Sequence, residues 1–98
     1  MSGHAQGLHL LSNQDTVASS DWTYWPGGKS VLVIQATTYP TTVNLELQGP
    51  DGNAIALNGS TINADSVTAY DTPAGLYRIY MNGGTAADVY AVLCRVPY

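Results

Sequence analysis

Apolar and polar residues alternate with a period of two along most of this chain, and Gly, Pro and Asn-Gly punctuation cuts the alternation at roughly 8- to 12-residue spacing. "TVNLELQ" (42 to 48) sets Val43, Leu45 and Leu47 against Asn44, Glu46 and Gln48, the pattern of a half-buried strand. "LYRIYMN" (76 to 82) sets Tyr77, Ile79 and Met81 against Leu76, Arg78 and Tyr80. "AIAL" (54 to 57) and "VTAYD" (67 to 71) are shorter strands. "SVLVIQA" (30 to 36) and "DVYAVLCRVPY" (88 to 98) are apolar on both faces, which predicts central, buried strands. Between them, "GPDGN" combines the preset φ of Pro50 with the positive φ open to Gly52 and predicts a hairpin turn. Asn58-Gly59, "TPAG" (72 to 75) and Asn82-Gly83-Gly84 mark further turns, and "STINADS" between strands reads as a loop or irregular edge. No long window keeps a 3.6-residue period without Gly or Pro, so almost no helix is expected. The fold class is all-β, an antiparallel β-sandwich or jelly roll.

The first residues break the pattern. Leu8, Leu10 and Leu11 form a small apolar patch between Gly3, Gly7 and the polar run Ser12 to Asp15, with no turn-bounded strand to carry it. Residues 1–20 are therefore read as a mobile terminus or an arm that orders on a neighbour, and residues 21–98 as the sandwich domain.

Composition narrows the function. Charged residues make up only 10% of the 98 residues, against roughly 25% in an ordinary globular chain, so the surface must be built from Thr, Ser, Asn, Gln and Gly. With Lys29, Arg78 and Arg95 as the basic side chains beside two histidines and a net charge of −4, neutralising several phosphates at once is out of reach, and no nucleic-acid partner is expected. No apolar run is long enough for a membrane span, and the N-terminus carries no secretory pattern. Cys94, the single cysteine, has no intramolecular partner and sits in the most apolar strand, as an inert hydrophobe would.

Catalytic and metal chemistry find little support. His4 and His9 both lie in the N-terminal segment, away from any strand end that would fix a nucleophile–base pair, and they make an incomplete metal set. Glu46 is the only glutamate, and the aspartates are scattered, with Asp51, Asp65 and Asp71 in or beside turns or loops where Asp serves the backbone. The chain is expected to be non-enzymatic, with no cofactor and no metal.

The aromatic residues are two Trp and seven Tyr, with no Phe, and three of them cluster in "WTYWPGG" (22 to 28). Buried Trp and Tyr each need a partner for a polar atom and so favour core margins and interfaces. An exposed aromatic face can also stack on a sugar ring. Trp22, Tyr24 and Trp25 are read as core margin and subunit contact, with a carbohydrate platform as the alternative.

Taken in order, "WPGG" before an apolar strand, "LELQGPDGN", "DTPAGLYRIY", "GGT" and the ending "VYAVLCRVPY" resemble small tailed-bacteriophage virion proteins of the capsid decoration, or cement, type. The resemblance runs from about Trp25 to Pro97. It implies a sandwich or jelly roll that oligomerises on the capsid exterior, after assembly in the host cytoplasm, and binds the major capsid protein. On that reading Leu8, Leu10 and Leu11 face the capsid, Trp22, Tyr24 and Trp25 lie at a subunit contact, and a trimer is favoured over a dimer. A carbohydrate-binding or head-fibre protein at the host surface, or a tail or neck component, is the alternative.

Overall fold

The computed structural model describes residues 7–95. His4 and the Val96–Tyr98 end of the last expected strand lie outside the described residues. Eight strands follow one another: β1 (Gly7–Gln14), β2 (Thr23–Trp25), β3 (Gly28–Gln35), β4 (Thr42–Gln48), β5 (Ala54–Ala56), β6 (Ser66–Thr72), β7 (Gly75–Asn82) and β8 (Val89–Arg95). There is no helix among the described residues, and so none long and apolar enough to cross a membrane.

The strands form two four-stranded sheets in the orders β1-β8-β3-β6 and β2-β7-β4-β5, with every pairing antiparallel. Each strand of the first half pairs with its counterpart counted from the other end: β1 with β8, β2 with β7, β3 with β6 and β4 with β5. A two-stranded ribbon folded over itself in this way is a jelly roll, which decides between the two all-β architectures that alternation alone allows.

The hairpin at the middle of the ribbon is the one expected. Gly49 N–H donates to Asn53 O at 2.7 Å and Gly52 N–H to Gly49 O at 2.9 Å, while Gly52 takes φ +90°. Asp51 accepts from the Asn53 backbone N–H and side-chain amide, both at 3.0 Å, and these bonds hold its carboxyl below its ordinary value.

Alternation decides which side chains meet between the sheets. Leu32, Ile34, Val89, Ala91 and Leu93 from the first sheet face Val43, Leu45, Tyr77, Ile79 and Met81 from the second, and all are buried. Each such Val, Leu or Ile contributes roughly 1.5–3 kcal/mol of transfer free energy. Tyr77, fully buried, donates its hydroxyl to Pro73 O at 2.6 Å, so a phenol enters the core without leaving its polar atom unpaired. Where Ser30 and Thr72 face inward, their hydroxyls lie 3.0 Å apart, with Thr72 also 2.7 Å from Gly28 O and Ser30 3.4 Å from Tyr70 O.

Two expectations are corrected. Residues 7–14 are not a free arm: β1 pairs with β8 and belongs to the first sheet, so the separation of residues 1–20 from the sandwich fails at Gly7. The pairing shifts between His9 and Leu11, so that Leu10 and Leu11 together oppose Ala91, and both are buried. Such a bulge turns two consecutive side chains toward one face. That is how a Leu-Leu pair serves one core, and why the period of two is lost there. Second, β3 and β8 are central as expected, but only one face of each is buried.

Candidate functional site

No catalytic constellation assembles among the described residues. His9 is exposed on β1, opposite Val92, and among the described residues no three His, Cys, Asp or Glu side chains are grouped as metal ligands. Four of the aspartates, Asp15, Asp51, Asp65 and Asp88, are engaged in holding loops. Asp65 accepts from the Tyr39 hydroxyl at 2.6 Å and the Ala36 N–H at 3.0 Å, which hold its carboxyl below the ordinary range. Burial, and then the hydrogen bond to this carboxylate, push the Tyr39 phenol well above its ordinary value. Asp15 accepts from Asp88 N–H at 2.9 Å, and Asp88 accepts from the Thr37 hydroxyl at 3.0 Å.

The aromatic cluster is divided by the pleat. β2 pairs with β7 through Thr23–Tyr77, Tyr24–Leu76 and Trp25–Gly75, so Tyr24 and Trp25 point to opposite faces. Trp25 is 3% exposed within the chain's own core, with the Arg95 guanidinium 5.3 Å from its ring centre. Its assignment to a subunit contact is therefore corrected: the ring is already covered by this chain. Its Nε1 is the one buried side-chain N or O atom without a hydrogen-bond partner among the described residues. Tyr24 is 61% exposed and Trp22 is half-buried.

Trp22 instead belongs to the outer face of the second sheet. Arg78 lies 4.4 Å from its ring centre and 5.7 Å from that of Tyr80. The same guanidinium pairs through Nε with Glu46 Oε1 at 2.9 Å, across the register pair Glu46–Arg78. Asn44 lies beside this group, opposite Tyr80. The cluster of aromatic, basic, acidic and amide side chains could not be assembled from sequence, because it joins residues from Trp22 to Tyr80 through strand register alone.

The outer face of the first sheet has a different character. One row across it reads His9, Val92, Val33 and Val67, and the next reads Cys94, Val31 and Ala69. Tyr90 follows, opposite Gln35. Val67 is 70% exposed, Tyr90 41% and Val33 37%, while Val31, Val92 and Cys94 are half-buried. Among the described residues charge enters at the ends of the sheet, where Lys29 and Asp71 are register partners and where Asp65 lies beside Val33 and Val67. The sequence held the signal for this face in the double-sided apolarity of 30–36 and 88–98. In a two-layer fold, however, only one side of a strand can be interior, so the second apolar side is surface.

The leucines assigned to a capsid contact divide similarly. Leu10 and Leu11 are core residues and Leu8 is half-buried against the core. A role for Leu10 and Leu11 as an exposed docking patch is thereby corrected: opposite β8 they are spent on the chain's own interior. No family model, curated protein or solved structure matches the chain.

Proposed function

We propose that this chain is a non-enzymatic virion structural protein of the capsid decoration type, which attaches to the major capsid protein on the outside of a phage head and stabilises the shell. The observation that carries this reading is the uncovered apolar outer face of the β1-β8-β3-β6 sheet, built from Val31, Val33, Val67, Ala69, Tyr90, Val92 and Cys94. A contiguous apolar patch on a small domain marks a contact surface. Here it runs across the two central strands and the edge strand β6, where a monomer would gain nothing from valine facing water. The near absence of charge on this face suits a contact that survives changes in salt. Many identical attachments of this kind, repeated over a shell, multiply a modest single-site affinity.

The test mixes the purified protein with empty phage heads and follows co-sedimentation and the temperature at which the heads disrupt. Val33→Lys and Val92→Lys, which leave the inner face untouched, are expected to abolish co-sedimentation and the added thermal resistance. Binding that persisted in both variants would overturn the assignment of this face. A protein that bound no head at all would overturn the decoration reading.

A second reading rests on the other sheet. Trp22, Tyr80, Arg78, Glu46 and Asn44 share one outer face, bringing ring faces together with groups that fix hydroxyls. This arrangement supports a carbohydrate-binding or head-fibre role. Glycan-array binding that disappears in Trp22→Ala would support it, whereas Trp25→Ala is excluded as a probe because its ring is buried.

A further inference from the structure

Four strands end the two sheets, and three of those edges are closed to another strand. In the second sheet, β2 and β5 are three residues long. Beyond them the backbone of the inner strands is taken up by neighbouring segments. Asn58 Oδ1 accepts from Leu45 N–H at 2.9 Å, Thr61 Oγ1 from Val43 N–H at 2.8 Å, and Leu57 and Ile62 donate to Leu45 O and Val43 O. On the opposite side Ser20 and Ser19 occupy the free edge of β7 at Ile79 and Met81. In the first sheet, β1 carries two register shifts and a positive φ at Asn13, devices that bend an edge away from pairing. β6 has none of these protections. It pairs with β3 over seven consecutive residues without a shift and contains neither Lys nor Pro. Apart from bonds to β3, no hydrogen bond reaches its backbone among the described residues. Val67, Thr68 and Ala69 are exposed along it.

We infer that β6 is a self-association edge, and that two copies of this chain pair antiparallel along β6 to make one continuous eight-stranded sheet about a twofold axis. A second copy is the occupant because an antiparallel edge pairs with itself in an isologous contact: the same backbone donors and acceptors meet, and no partner of different charge is required. Charge on the β3–β6 margin is confined to its ends, where Lys29 opposes Asp71 and where Asp65 is engaged by the Tyr39 hydroxyl and the Ala36 N–H, so the middle of the edge carries none to repel a copy. Size agrees where both layers close across the axis: a seven-residue strand of about 24 Å and the 21 Å extent of the chain's shortest axis give a footprint of about 500 Å² per copy, reaching the roughly 1,000 Å² total of a specific interface. The same pairing joins the two apolar outer faces at Val67 and Ala69, doubling the surface used in the proposed function, although the association needs no capsid. It makes a dimer, rather than the trimer favoured from sequence, the elementary assembly.

The full chain is examined by sedimentation velocity over a dilution series, beside Ala69→Lys at the middle of the edge and Val92→Lys on the central strand. Oxidative crosslinking follows for single cysteines at positions 67 to 70 in a Cys94→Ser background. The expected result is a dimer whose dissociation constant rises about tenfold or more in Ala69→Lys, because pairing over the whole strand sets this residue opposite its own copy and brings two like charges to the axis, and little in Val92→Lys. Crosslinking should peak at position 69. Thermal unfolding of both variants separates lost association from lost folding. A monomer at all concentrations, or a dimer lost in Val92→Lys and kept in Ala69→Lys, would overturn edge pairing. Head binding by such a monomer would leave the decoration reading standing, and a dimer that ignores heads would separate the two in the opposite sense.

Discussion

Trp22, Tyr24 and Trp25 lie within four residues of one another, yet their truncation to alanine should give three distinct outcomes. Trp25 is 3% exposed and packs in the core beneath Arg95. Its removal opens a cavity, for which the expected cost is about 3–5 kcal/mol. A domain of this size holds a net stability of roughly 5–15 kcal/mol, so Trp25→Ala removes a large share of it. At about 4–8 °C per kcal/mol, the midpoint should fall by on the order of 12 °C or more. Trp25→Phe should cost much less, since the core stays partly filled and the unpaired buried Nε1–H disappears with the indole. Trp22→Ala removes a ring that stacks on Arg78 at a half-exposed site, worth about 0.5–1 kcal/mol. Tyr24→Ala, at 61% exposure, should stay within about 0.5 kcal/mol of the parent. Urea unfolding at a concentration where the protein is monomeric, followed by circular dichroism, measures all four. If Tyr24→Ala cost as much as Trp25→Ala, or if Trp25→Ala left monomer stability unchanged and altered only self-association, the division of this cluster by the pleat would be refuted.

Three further outcomes follow from individual bonds and dihedrals. Tyr77→Phe removes the 2.6 Å bond to Pro73 O, whose residue lies in an exposed turn that water reaches, and should cost about 0.5–1.5 kcal/mol in urea unfolding, without a change in slope. The bonds from Tyr39 and Ala36 hold the Asp65 carboxyl below the ordinary 3.8 of an aspartate, so they stabilise the fold above that pH and are lost as pH falls through the folded value. Carboxyl NMR of Tyr39→Phe should show the Asp65 midpoint rising toward 3.8. The raised Tyr39 phenol has the opposite sign, its contribution fading only as alkaline pH climbs through its folded value. Gly27→Ala should destabilise more than Gly52→Ala in thermal unfolding: both take positive φ, costing roughly 1–2 kcal/mol for any Cβ, but at Gly27 the new atom also meets Ala74 N at 2.9 Å, while at Gly52 it meets open space.

Six strands were legible wherever alternation was unbroken: β3 through β8 match the apolar runs and turn signals from Ser30 onward. Two were not. β2 is three residues long, too short for any period to show, and unlike the equally short β5 it is not bounded by turn signals on both sides, so its hydrogen bonds to β7 define it. β1 is hidden by its bulge, which places Leu10 and Leu11 on one side and imitates an irregular apolar patch. Among the candidate contacts, the exposure of Tyr24 and the burial of Trp25 follow from which neighbour each meets in β7. The Arg78 cluster joins residues more than fifty positions apart, and no local pattern encodes that register.

The sequence by itself determined that this chain is all-β and poor in charge, that it turns at Gly52 and at Asn82-Gly83-Gly84, and that two strands carry more apolar surface than one core needs, because alternation, turn chemistry and composition are local properties. Only the tertiary structure decided the jelly-roll pairing, the incorporation of the leucine segment as β1, the side on which each aromatic lies, and β6 as the unprotected edge. Those are properties of long-range register. They are set when backbone donors and acceptors far apart in the chain find one another, and a pairing shifted by a single residue would present the other face of every strand it touched.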